Sequence, residues 1–183
     1  MKNELRKKLF DIRANIKNRD EKETLVINKV LEFISENNFN TILSYVSMRC
    51  EVDTKGIIEH LKEFSDINLL IPFTIGSSMK AVVYEGEELT VDKIGNVFGI
   101  EDKPEFVKNI ELSITPLLGF NEKNHRIGYG KGCYDQYYAR HTIQNKIGIA
   151  FDEQEIEFER DKFDIPLDII FTPTRILKLR SNK

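Results

Sequence analysis

The densest chemistry in the chain lies at residues 126–135, RIGYGKGCYD. Gly128, Gly130 and Gly132 alternate with Tyr129 and Lys131, Arg126 opens the stretch and Asp135 closes it. Glycines let a backbone approach an anion closely and present its N–H groups. Lysine adds a point charge and arginine a two-pronged fork. A helix starting near Cys133 would aim the positive end of its dipole at the same place. Phosphate is the ligand that uses all of these groups; a glycine-rich surface turn with incidental charge is the plainer alternative. The spacing fits neither of the familiar phosphate motifs. Lys131 precedes Gly132 and no Ser or Thr follows, so GxxxxGK[ST] fails, and GxGxG is not GxxG-spaced like the dinucleotide fingerprint GxGxxG.

Three carboxylates could serve such a loop. Asp135 would repel phosphates unless it holds Mg²⁺, a hard cation that takes one or two carboxylates plus phosphate oxygens. Its alternative is an ordinary first-turn aspartate that favours the helix dipole. Asp168, in DIPLDIIFTP, sits at the mouth of an expected strand and is either a partner ligand or a solvated strand cap. Glu51 follows the first expected strand, as a surface glutamate or as a ligand group at a strand's carboxyl end. The three histidines, His60, His125 and His141, form no HExxH and no cluster with cysteine, which excludes a zinc site. Of these, His125 is the one beside Arg126 and within reach of a phosphate.

The elements that must position these groups alternate in type. Amphipathic helices are expected over residues 3–16, with Leu5, Leu9, Ile12 and Ile16 inward, and over 20–38, where Asp20 and Glu23 stand in a capping-box relation. Residues 40–47 read as a strand and 53–65 as a third helix, with Ile57, Ile58, Leu61 and Phe64 facing in. Strands follow at 67–74, nearly apolar throughout, and at 80–85. Residues 85–109 are polar and irregular. Strand character returns at 110–120, helix at 134–143, and strands at 146–151, 167–173 and 175–179. Strands separated by helices mean βαβ units. The expected fold is a single three-layer α/β domain, 1–183, with a mostly parallel sheet covered by helices on both faces.

Bulk properties bound the function. At 183 residues one domain buries about 70% of its unfolded surface and needs no staples. A formal net charge of −3 gives no electrostatic footprint for nucleic acid. No run approaches the ~18 apolar residues of a membrane span, and MKNELRKKLF does not lead into an apolar signal region. Cys50 and Cys133 make no CxxC pair. A reduced, cytoplasmic monomer acting on small molecules is expected, with no nucleic-acid or membrane partner.

Residues 116–138, PLLGFNEKNHRIGYGKGCYDQYY, resemble the signature of the 5-formyltetrahydrofolate cyclo-ligases. That signature is a Pro-Gly-x-x-Phe-Asp segment followed by Arg-x-Gly-x-Gly-[Gly/Lys]-Gly-aromatic-Tyr-Asp. KNELRK is similar to the family's basic N-terminal helix with its Lys-x-x-x-Arg. SYVSMRCEVDT, FGIEDKP and DIPLDIIFTP are similar to further family segments in the same order. Three positions depart from the pattern: Cys133 stands where Tyr or Phe is usual, Asn121 where Asp is usual, and Leu117 where Gly is usual.

The resemblance implies ATP- and Mg²⁺-dependent closure of 5-formyltetrahydrofolate to 5,10-methenyltetrahydrofolate. It implies ATP contacts from Lys2, Asn3, Glu4, Leu5 and Arg6 on the first helix. Arg126, Ile127, Gly128, Tyr129, Gly130, Lys131, Gly132, Cys133 and Tyr134 would form the ATP loop, with Lys131 and Arg126 as catalytic cations. Asp135 and Asp168 would hold Mg²⁺, and Glu51, Val46 and Tyr134 the folate. Two other readings stand beside it: a phosphotransferase with a different acceptor, and a non-catalytic nucleotide- or folate-binding module.

Overall fold

In the computed structural model, which describes residues 2–179, the apolar segments pair edge to edge into one seven-stranded sheet. The chain runs α1 (Lys2–Ala14), α2 (Arg19–Asn37), β1 (Thr41–Ser44), α3 (Lys55–Leu61), β2 (Asn68–Ile75) and β3 (Ser78–Val83). It continues through β4 (Thr90–Val91), β5 (Val97–Phe98), β6 (Ile110–Thr115), β7 (Gly119–Phe120) and β8 (Arg126–Ile127). It then forms α4 (Cys133–Arg140), β9 (Ile143–Ile149), β10 (Ile169–Phe171) and β11 (Ile176–Lys178). The sheet order is β11-β10-β9-β6-β1-β2-β3. The five central strands are parallel, and only the edge strands β3 and β11 run antiparallel. The sheet is therefore mostly parallel.

Alternate side chains sort to two faces, as the two-residue period of a strand requires. Ile42, Leu69, Ile71, Leu112, Ile114 and Phe171 pack with Val26, Val30 and Ile34 of α2 and Ile57, Ile58 and Leu61 of α3. Leu43, Leu70, Ala81 and Ile170 point the other way, against Tyr137 and Tyr138 of α4. Helices thus cover both faces of one α/β domain.

A third cluster, Leu9, Leu118 and Ile127, docks α1 on the β7–β8 hairpin. The approach is close: a Cβ at Gly119 would lie 2.7 Å from Leu9 Cδ1 and 3.1 Å from the Gln154 carbonyl oxygen. Gly119→Ala is expected to cost about 1–3 kcal/mol through overpacking. Urea unfolding with an unchanged midpoint would show that α1 yields freely.

Some expected boundaries shift, for physical reasons. Pro116 and the turn after it split residues 110–120 into β6 and the short β7, which pairs with β8 instead of extending the sheet. The stretch 85–109 is not wholly irregular, because Thr90–Val91 and Val97–Phe98 form a two-stranded hairpin. The third helix ends at Leu61, which leaves Phe64 exposed. Asp20 and Glu23 form no capping box: α2 opens from Asn18 in the left-handed conformation, and Glu23 pairs with Arg19 at 3.1 Å. Helix α4 stops at Arg140, where His141 turns extended and stacks on Tyr137.

Among the described residues no helix is long and apolar enough to cross a membrane. Cys50 and Cys133 are free thiols.

Candidate active site

Strand order reverses at β1. β2 and β3 build outward on one side, whereas β6, β9 and β10 build outward on the other. Loops leaving the carboxyl ends of β1 and β6 must therefore part, and such a switch point is where open α/β sheets hold ligands. The main cleft lies there. Tyr45, Val46, Met48 and Glu51 beyond β1, Pro72 and Thr74 of β2, and Pro116 beyond β6 line it, together with the whole glycine loop.

The glycine loop joins β8 to α4. Gly130 has φ 98° and Gly132 φ 67°, a left-handed region that glycine enters without strain. A Cβ at Gly130 would also meet the Arg6 guanidinium carbon at 3.1 Å, so that side chain would have to give way by a few tenths of an ångström. Gly132 is the N-cap of α4, and no side chain caps the helix. The first N–H groups of α4 thus open on the cleft, as an anion site needs. Lys131 is exposed at the rim and makes no ion pair among the described residues. Arg126 is buried instead, donating to the Ile165 carbonyl at 3.0 Å and pairing with Asp135 Oδ1 at 2.9 Å. That same Asp135 oxygen accepts the Ile165 N–H at 3.0 Å. Arg126 therefore shapes the cleft floor while Lys131 is the cation that can move with a ligand.

Helix α1 brings Lys2 and Arg6 to the cleft, as their four-residue spacing anticipates. Arg6 Nε donates to the Gly128 carbonyl at 3.0 Å and Nη1 to Asn3 Oδ1 at 2.7 Å. Lys2 pairs closely with Asp161 and reaches Asp164 at 3.4 Å. Asn3, Glu4 and Leu5 do not line the cleft, and Leu5 packs into the α1 docking cluster.

Glu51 is buried beyond β1. Arg19 holds its backbone, donating to the carbonyls of Cys50 at 2.7 Å and Glu51 at 2.8 Å. Both carboxylate oxygens are engaged: Tyr129 OH donates to Oε1 at 2.5 Å and the Met48 N–H to Oε2 at 2.8 Å. Burial pushes this carboxyl above the usual range, while Tyr129, Met48, Arg13 and Arg49 pull the other way. Burial, reinforced by Glu51, also pushes the Tyr129 phenol up, so it remains a donor. The Tyr134 hydroxyl is buried in the cleft wall with no partner among the described residues. Val46, Met48, Ile94 and Val97 make the neighbouring wall apolar.

The structure does not bring the two expected metal ligands together. Asp135 lies in the cleft. Asp168 precedes β10, at the amino end of a parallel strand, where it accepts the Lys146 N–H at 2.6 Å and pairs with Lys146 Nζ at 3.1 Å. It caps a strand at the end of the sheet opposite the loops that bear the site. Besides Glu51, the carboxylates that accompany Asp135 in the cleft lining are Asp161 and Asp164. Among the described residues no three His, Cys, Asp or Glu side chains form a preassembled cage. Magnesium fits this donor set only in the way it favours, through one carboxylate and the phosphates it accompanies. His125 is buried beside a separate groove with Lys123 and Arg160 and does not line the cleft.

Comparison with known proteins places the chain in a family. The profile of the 5-formyltetrahydrofolate cyclo-ligase family matches residues 1–173. The chain belongs to that family. Its relatives include the 5-formyltetrahydrofolate cyclo-ligase of Mycoplasma genitalium, 31% identical over 173 residues, which span 92% of this chain and 96% of the relative. The probable 5-formyltetrahydrofolate cyclo-ligase of Schizosaccharomyces pombe is 29% identical over 180 residues, 87% of each chain. A solved structure of a 5,10-methenyltetrahydrofolate synthetase from Mycoplasma pneumoniae superposes with a TM-score of 0.74 at 29% identity, covering 94% of this chain and 98% of that one. The corresponding Aquifex aeolicus protein shares the fold at a TM-score of 0.82 and 24% identity, covering 100% and 94%. The stretch that resembles the cyclo-ligase signature, residues 116–138, runs through β7, β8, the glycine loop and most of α4.

Proposed function

We propose that the chain closes 5-formyltetrahydrofolate to 5,10-methenyltetrahydrofolate at the expense of ATP. The observation that carries this reading is one cleft with two unlike halves. A glycine loop, an uncapped helix N-terminus and the basic face of α1 stand on one side; a buried carboxylate beside an apolar wall stands on the other.

The chemical difficulty is that a formyl oxygen leaves poorly from carbon. In the proposed path that oxygen attacks the γ-phosphorus, the β,γ bridging bond breaks, and ADP departs. N10 then adds to the activated formyl carbon and loses its proton. The C–O bond breaks last, and inorganic phosphate carries away the former formyl oxygen. The atoms balance to methenyl product, ADP and phosphate.

The residues supply position and charge, the main requirements of phosphoryl transfer. Gly128 to Gly132 and the first N–H groups of α4 cradle the phosphates. Lys131 follows the transferred phosphoryl group. Lys2 and Arg6 meet the nucleotide from α1, with Lys2 exchanging Asp161 and Asp164 for phosphate. Arg126 keeps Asp135 in place, and Asp135 Oδ2 is the oxygen that would hold Mg²⁺. Magnesium, when bound, neutralises phosphate charge. Glu51 accepts hydrogen bonds from the pterin, Val46 packs on its ring system, and the unpartnered Tyr134 hydroxyl bonds a polar group of the bound folate.

The test is turnover. Protein with Mg-ATP and 5-formyltetrahydrofolate is expected to generate the near-ultraviolet absorption of the methenyl form, and to lose this without ATP or with a chelator. Product formed without nucleotide would refute the ligase reading. ATP hydrolysis that does not need the folate would favour a phosphotransferase with another acceptor, and binding without turnover a non-catalytic module.

A further inference from the structure

We propose that Arg13 is a positioning residue for the folate half of the cleft, acting through the Tyr129 hydroxyl on Glu51. The inference rests on the reading of Glu51 given above.

Arg13 is 1% exposed and lies outside the cleft lining. A buried guanidinium is costly unless its charge is answered. Among the described residues it makes no direct ion pair. Its Nη1 donates to the Leu117 carbonyl at 3.0 Å and its Nη2 to Tyr129 OH at 2.7 Å. Tyr129 OH in turn donates to Glu51 Oε1. The phenol thus stands between a buried cation and a buried anion and bonds both. The order is fixed by chemistry, since guanidinium has only donors and ionised carboxylate only acceptors, so the hydroxyl must accept from one and give to the other.

The relay ties separate parts of the site into one register. Arg6 grips the Gly128 carbonyl and Arg13 the next residue's hydroxyl, so two turns of α1 hold two successive residues of the glycine loop. The loop in turn holds Glu51, 78 positions away in sequence. Misplacing Arg13 therefore turns Tyr129 and releases one of the two hydrogen bonds that orient the carboxylate.

The charged and titratable groups around Glu51 are Tyr129 from the loop, Arg13 from α1, Arg49 from its own segment, Tyr45 beyond β1 and Tyr134 from α4. The cations are Arg13 and Arg49, which act on the carboxylate, and Arg19 of α2, which holds the Glu51 backbone carbonyl at 2.8 Å. Removing Arg13 takes away one cation and loosens the donor, and both changes favour the protonated carboxyl. Binding that needs ionised Glu51 should then fail at a higher pH.

Calorimetric titration with 5-formyltetrahydrofolate across the weakly acidic to neutral range tests this in the full chain. Arg13→Met and Tyr129→Phe are each expected to weaken folate binding about tenfold and to move its acid limb upward. The double variant should do little more than either single one, because the two residues act in series. Arg13→Lys keeps the charge but not the fork, so it should restore the acid limb with incomplete affinity. Variants that melt earlier yet bind folate with the wild-type affinity and acid limb would overturn the proposal, as would effects of the single variants that simply add. If Arg13→Met does not fold, Tyr129→Phe and Arg13→Lys carry the test. Wild-type protein that binds no 5-formyltetrahydrofolate would overturn the folate reading as well, whereas wild-type binding with unaffected variants overturns the positioning role alone.

Discussion

Lys131→Ala is expected to lower kcat by roughly 10²-fold or more, the loss that follows removal of one preorganised group from a site of developing charge. The cause is local. Lys131 is the exposed cation of the glycine loop, lies at the cleft rim and makes no ion pair among the described residues. Its charge is therefore available to a phosphoryl group moving between two oxygens. Because the side chain is exposed, the folded state should lose almost nothing, and the thermal midpoint should stay close to wild type. Arg126 makes the useful contrast. It is buried and bonds both Asp135 and the Ile165 carbonyl, so its removal should lower stability together with activity. Steady-state kinetics and thermal unfolding of Lys131→Ala decide the matter. A normal kcat with a lowered melting temperature would make the lysine structural.

The glycine loop was legible because its requirements are local. Backbone N–H groups near an anion need glycine, and a strand-to-helix turn needs glycine where φ is positive, so composition alone marks the place. The layers were legible for a similar reason: apolar period reports face, and Ile42 and Leu43 do sort to opposite sides of the sheet. What composition could not reveal are contacts made across the chain. Asp161 and Asp164 sit in a polar stretch with no pattern, and only the fold brings them to Lys2. Asp168 looked suited to a metal because it opens a strand, but the sequence does not tell which end of the sheet that strand's start will occupy. Arg13 did leave a trace. Residues 2, 6, 9 and 13 fall on one helical stripe, so a reading that followed the stripe beyond Leu9 would have placed a second arginine against the loop. Ile12, the apolar neighbour of Arg13, is the ordinary inward residue and masks that trace.

Glu51→Gln is expected to weaken 5-formyltetrahydrofolate binding roughly 10- to 150-fold, the range for a lost hydrogen bond to a charged group. The amide keeps the shape of the carboxylate but puts an NH₂ donor where one acceptor oxygen stood. One side of the group already faces the Met48 N–H and the other the Tyr129 hydroxyl, both donors, so one of them must lose its acceptor. ATP affinity should hardly change, because the proposed nucleotide half of the cleft is the loop and α1, away from Glu51. The pH dependence of stability gives a second, separate readout. Burial raises the folded carboxyl above its unfolded value, so the native state holds the proton to higher pH than the unfolded chain does. Stability then falls as pH rises through that window, and ionised Glu51 is a cost to folding at neutral pH. Gln carries no such charge. The melting temperature of wild type should therefore fall relative to Glu51→Gln as pH is raised from weakly acidic to neutral. Separate titrations with each ligand and melting curves along that pH series measure both effects. Loss of ATP binding alone would place Glu51 in the wrong half of the cleft, and a variant less stable at neutral than at acid pH relative to wild type would show that Tyr129 and Arg13 outweigh its burial.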